Sequence, residues 1–261
     1  MSAGDVLSED ILSRPQPLPD ERVAYGADPS QFFEVRVPRG PGPHVVLLNI
    51  HGGFWRAKYD LAHTGQLCEA LRAAGVATFN IEYRRVGNGG GWPGTFEDIR
   101  SAYRFILQGH SQLHLDLSRL VVMGHSAGGQ LAFCLAAHEI SVRRAISLAG
   151  LVDLKKAFAL RLSHGAVEEF LGGKPDAVPE HYREADPTEL SIPQARQWLL
   201  HGSEDDTVPT EFSRDYVLQK KKAGESVQLL EISDAGHFDL IDPDSKAFGD
   251  VKRTVLAACA S

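Results

Sequence analysis

Cysteine is scarce in this chain. Cys68, Cys134 and Cys259 are odd in number, far apart and without metal-ligand spacing, which speaks against a disulfide framework or a cysteine metal site and fits a reducing, cytoplasmic compartment. Long apolar runs are missing too: none approaches the ~20 residues that cross a bilayer. The residues after Met1 lack the basic flank and apolar stretch of a secretory signal, so the expectation is a soluble protein with no membrane partner. Basic charge is also short, with 27 Lys and Arg against 34 Asp and Glu and no basic run longer than Lys220-Lys221-Lys222. A net charge of −7 argues against a nucleic-acid partner. Internal repeats and low-complexity tracts are absent from the sequence.

What remains is a chain of 261 residues, 43% hydrophobic, a length at which one α/β domain buries a full core. Residues 1–30 are polar and carry Pro15, Pro17 and Pro19; they read as an arm across the surface, in part disordered, with no chemistry of its own. From Phe32 onward, extended runs alternate with helical ones. This is the pattern of a mostly parallel central sheet with helices on both faces. Strands are expected over 32–37, 45–50, 76–82, 120–124, 145–148, 197–200 and 227–232, several of them apolar throughout as strands buried on both faces are. Helices are expected over 61–74, 95–108, 127–138, 211–223 and 245–258, with Gly75, Gly109 and Gly224 closing the first, second and fourth. Residues 150–195 break the alternation with short helical pieces, 165–171 and 180–184, and four prolines. A segment this long is expected to be a small helical lid over the carboxyl ends of the strands, where such sheets bind ligands.

Three loops carry the chemistry. Gly124-His125-Ser126-Ala127-Gly128 follows the apolar strand Leu120 to Met123 and opens a helical run, the strand, sharp turn and helix that a G-x-S-x-G nucleophile elbow requires. A helix-capping serine or a phosphate-cradling loop would also use a glycine-rich turn, but the Gly-Lys-Ser/Thr ending and dinucleotide spacing are missing. Ser126 is therefore the candidate nucleophile. His51-Gly52-Gly53-Phe54-Trp55 follows the strand ending at Ile50. There the N–H groups of Gly52, Gly53 and Phe54, together with that of Ala127 after the serine, are candidates for stabilising the oxyanion of an acyl-transfer intermediate. His51 reads as a buttress of this loop.

Serine needs an adjacent imidazole, and the imidazole a carboxylate. His237, in Asp234-Ala235-Gly236-His237-Phe238, is the one histidine after the last expected strand and is the candidate base. Three acids follow the penultimate strand in His201-Gly202-Ser203-Glu204-Asp205-Asp206-Thr207-Val208-Pro209. Asp205 ranks first by its spacing to Val208-Pro209, Asp206 second and Glu204 third. The order serine, acid, histidine is the one this sheet topology imposes.

The motifs HGGFW, GHSAGG, HGSEDDTVP and AGHFD jointly resemble the α/β-hydrolase superfamily over residues 32–255. Within it they are similar to the His-Gly-Gly-x-Trp esterase branch, which includes carboxylesterases and kynurenine formamidases. The resemblance implies an α/β-hydrolase fold, a triad of Ser126, Asp205 and His237, no metal or organic cofactor, and a small-molecule ester or amide substrate; a monomer and a homodimer both stay open. It also implies that Glu82-Tyr83-Arg84-Arg85, with Asp98, supports the oxyanion loop. Phe54 departs from a third glycine, which bears on the number of oxyanion donors. Trp55 and Trp92 are candidates for shaping an acyl or aryl pocket, against the commoner role of core tryptophans. A carboxylesterase is the leading expectation and an arylformamidase the alternative. An acyl-peptide hydrolase, or a binding protein on a hydrolase scaffold, ranks lower.

Overall fold

The computed structural model describes residues 8–108 and 113–260. Eight strands form one sheet: β1 (Glu21–Ala24), β2 (Phe32–Arg36), β3 (His44–Ile50), β4 (Val76–Ile81), β5 (Leu115–His125), β6 (Arg144–Leu148), β7 (Arg196–Gly202) and β8 (Val227–Ile232). Their spatial order is β1-β2-β4-β3-β5-β6-β7-β8. β1 and β2 are antiparallel to their neighbours, and every pairing from β4 to β8 is parallel. The helices are α1 (Gly65–Ala73), α2 (Gly94–Leu107), α3 (Ala127–His138), α4 (Leu154–Ala159), α5 (Ala166–Leu171), α6 (Pro179–Ala185), α7 (Glu211–Lys222) and α8 (Phe248–Ala260). The fold is that of an α/β-hydrolase.

Alternation along the strands sorts side chains into two cores. Val46, Leu48 and Ile50 of β3 and Val122 of β5 join the core under α2, α3 and α7. Leu47, Val121 and Met123 join the opposite one, closed by Leu67 and Leu71 of α1 and Val251 and Val255 of α8. Residues 127 to 136 of α3 are buried throughout, because sheet, α2 and α6 surround the helix that carries the serine turn. Gly75 and Gly224 have φ of 94° and 80° and end α1 and α7 as expected; Gly109 lies outside the described residues.

Three features go beyond the sequence reading. β1 escaped the sequence reading because its four residues, Glu-Arg-Val-Ala, lie on the sheet edge with only Val23 partly covered, so no apolar alternation marks it. The described part of the N-terminal arm, residues 8–30, is fastened to the surface it crosses. Ile11 is fully buried in the α1–α8 core, which stabilises by about 1.5–3 kcal/mol, and Arg14 donates to both carboxylate oxygens of Asp242 at 2.7 and 2.8 Å. The 150–195 insertion, carrying α4 to α6, packs on α3 and on the loop after β3, and none of its residues is among those lining the cavity beside Ser126. Phe170 stacks on Trp55 at 4.4 Å, and the Ala185 carbonyl accepts from Gln130 at 2.8 Å.

Candidate active site

The three expected loops converge at the carboxyl edge of the parallel strands. The turn between β5 and α3 holds Ser126 at φ 55° and ψ −121°, a left-handed backbone that a serine adopts only under constraint. Constraint is visible on every side. A methyl group at Gly128 would lie 2.1 Å from the Ile50 carbonyl oxygen, and one at Gly52 would lie 2.8 Å from the His125 carbonyl oxygen and 3.0 Å from Ser126 Cβ. The serine turn and the His51-Gly52-Gly53 loop therefore touch backbone to backbone, and glycine is what permits it. Among the described residues, the N–H groups of Gly52, Gly53, Phe54 and Ala127 donate to no other group of the protein. Donors left open beside the buried serine turn are what a preformed oxyanion site needs.

The His51-Gly52-Gly53 loop is held from beneath by the segment after β4. Glu82 is buried; its carboxylate lies 3.1 Å from His51 Nε2, accepts from the Leu61 and Tyr83 N–H groups and pairs with Arg85 at 2.8 Å. Burial alone would raise the Glu82 carboxyl; His51 and Arg85 hold it below its ordinary value. Tyr83 stacks on the His51 ring at 4.3 Å and its hydroxyl donates to the His51 carbonyl at 2.8 Å. Arg84 fastens α2 through both oxygens of Asp98. His51 is thus a buttress by geometry.

His237 begins a single turn of 3-10 helix after β8. Its Nδ1 lies 2.7 Å from Asp205 Oδ2, in the loop after β7. The Asp205 side chain is fully buried, also within 3.2 Å of His201 Nε2, and accepts from the Thr207 and Val208 N–H groups. Burial pushes this carboxyl up, but the hydrogen bonds from His201 and His237 outweigh it and hold the group well below the carboxylate range. Asp206 and Glu204 are exposed, and the Asp206 side chain reaches only its neighbour Thr207. Of the three competing acids, Asp205 meets the imidazole.

Ser126 and His237 share one cavity of about 420 Å³, lined also by Leu12, Gly53, Phe54, Lys58, Tyr59, His63, His125, Thr207 and Phe238. Sequence reasoning missed most of this wall. His125 sat unremarked inside the serine motif and Phe238 beside His237; Leu12 carried no signal at all. His63 and His125 are kept neutral: burial, then the nearby His51, lowers His63 to about 3, and burial, then His237, lowers His125 well below the usual range. Neither competes for a proton at neutral pH. Trp55 and Trp92 are not brought to the cavity. Trp55 is fully buried with Nε1 donating to Gln130 at 3.0 Å, and Trp92 stacks on Phe96. Both shape the packing beneath the loop.

Residues 35–220 match the BD-FAE family. A probable isoprenylcysteine alpha-carbonyl methylesterase of Oryza sativa subsp. japonica is 26% identical over 251 residues, covering 85% of this chain and 58% of the relative; the chain thus spans little more than half the length of that curated protein. Among solved structures, esterase B from Lactobacillus rhamnosis superposes with a TM-score of 0.80 at 17% identity, covering 97% of this chain and 90% of that one. A truncated carbohydrate esterase from gut microbiota gives 0.79 at 20% identity, over 92% and 95%. Thermogutta terrifontis esterase 2 phosphoramylated by tabun gives 0.74 at 23% identity, over 94% and 95%.

Proposed function

The chain belongs to the BD-FAE family of esterase-type α/β-hydrolases, and from that we propose that it is a serine carboxylesterase, cleaving small carboxylic esters through an acyl-enzyme on Ser126. In the proposed reaction Ser126 Oγ attacks the ester carbonyl while its proton passes to His237 Nε2. Asp205 fixes the imidazole through Nδ1 and stabilises its charged form. The tetrahedral oxyanion takes hydrogen bonds from the N–H groups of Gly53 or Phe54 and of Ala127. The intermediate collapses, and the alcohol leaves with the proton from His237. Water, activated by the same imidazole, then attacks the acyl-enzyme, releasing the acid and restoring Ser126. Residues of the chain suffice for each step.

The observation that carries this reading is the buried Asp205–His237 pair at 2.7 Å opening onto the same cavity as a serine in left-handed backbone. The names of the relatives support an ester as the bond cleaved, and the organophosphorus adduct of the Thermogutta esterase makes a phosphonate the natural probe. The rings of Phe54, Tyr59 and Phe238 along the cavity favour an aryl group, which keeps cleavage of an N-formyl arylamide as the second reading. A fluorophosphonate is expected to label the protein and not Ser126→Ala. Turnover of p-nitrophenyl butyrate above N-formylkynurenine and a blocked acyl-peptide is expected, and the reverse order would replace the first reading with the second. Absence of labelling would return the chain to a non-catalytic binding role.

A further inference from the structure

One residue of the cavity wall, Leu12, comes from the N-terminal arm. Leu12 lines the cavity with Ser126 and His237 and is 37% exposed, so its side chain is half wall and half solvent. The arm around it is fastened on three sides. Ile11, one residue before, is fully buried in the α1–α8 core. Arg14, two residues after, makes the two-pronged contact with Asp242, a residue 6% exposed, and a further one to Asp244 at 3.2 Å. The Pro15 carbonyl accepts from Gln66 Nε2 at 2.7 Å. Asp242 lies five residues past His237, on the segment that follows its 3-10 turn, so the arm grips the histidine's own loop. An anchored apolar side chain at the mouth of a cavity decides how far a substrate chain extends before it meets protein or water.

Resting on the esterase reading, we propose that Leu12 is the specificity-determining residue for substrate chain length, and that the Arg14–Asp242 clamp holds it in place. Each methylene that packs against the Leu12 wall gains the transfer free energy of an alkyl group, equivalent to about a fourfold change per carbon. A smaller residue lengthens the slot and a larger one closes it. Leu12 forms no part of the sheet or of either core, so its replacement leaves the fold intact. Arg14→Gln keeps length and polarity while removing the charged clamp.

The experiment measures kcat/KM for wild type, Leu12→Ala, Leu12→Trp and Arg14→Gln on p-nitrophenyl acetate, butyrate, hexanoate and octanoate, and on methyl to hexyl acetates, beside labelling by a fluorophosphonate. In at least one series Leu12→Ala is expected to move the preferred length up by two or more carbons. Leu12→Trp is expected to lower the longest-to-shortest ratio tenfold or more, and Arg14→Gln to flatten the profile through KM with kcat nearly unchanged. Wild-type profiles in both series, from variants that label normally, would overturn the proposal and leave the esterase reading standing. A wild-type protein that neither labels nor hydrolyses any ester would remove both.

Discussion

Asp205 sits between two imidazoles, His201 at 3.2 Å and His237 at 2.7 Å, and its negative charge is what both hydrogen bonds favour. Asp205→Asn preserves the shape but offers an N–H where the ring needs an acceptor. We expect kcat on p-nitrophenyl butyrate to fall on the order of 10³–10⁴-fold, with Asp206→Asn within about twofold of wild type. A collapse of the Asp206 variant instead would reassign the acid. Beneath the His51-Gly52-Gly53 loop, Glu82→Gln keeps only one of the two oxygens that accept from the Leu61 and Tyr83 N–H groups, turns an amide N–H toward the other, and withdraws the charge facing His51 and Arg85. Loosening prealigned donors in this way is expected to lower kcat roughly tenfold to a hundredfold, with KM little changed, in steady-state kinetics. A pure rise in KM would show that the loop binds ground state and transition state alike.

Elements buried on both faces were legible from the sequence; elements defined by where they dock were not. The α3 helix was read at its observed ends, 127 to 138, because an apolar strand, a glycine turn and an apolar helix are all local signals. β5, in contrast, starts at Leu115, five residues before the expected start, where its chain turns half-exposed and the apolar pattern fades. β1 is too polar to register, and the path of the arm depends on Ile11 meeting a core assembled from α1 and α8, partners more than fifty residues away. The site followed the same division. Ser126, His237 and Asp205 sit in loops with signatures of their own, whereas His63 and Leu12 reach the cavity through tertiary packing that no short window of sequence contains.

Acid stability of the molecule joins opposed contributions. His63 is lowered to about 3 in the fold, so between the unfolded value near 6.5 and about 3 the unfolded chain binds the proton first. Its share of stability is complete above pH 6.5 and drains as pH falls. Asp205, held low, acts in the same direction below about pH 4. Asp186, buried and raised to about 6, acts oppositely: its folded form prefers the proton, so stability declines as pH rises from about 4 to 6. Urea unfolding of wild type beside His63→Gln isolates one group. The stability difference between them is expected to drift against the wild type by roughly 1 kcal/mol per pH unit below pH 6.5. A difference independent of pH would show that His63 protonates freely in the folded state.

The left-handed backbone of Ser126 has a thermodynamic corollary. Glycine occupies that region without penalty, whereas a serine held there stores on the order of 1–3 kcal/mol. Ser126→Gly is expected to unfold a few degrees above the wild type in calorimetry, inert and more durable at once. A chain selected for endurance alone would discard the hydroxyl at its tightest bend; on the proposed chemistry, its retention measures how much durability is forgone for a nucleophile.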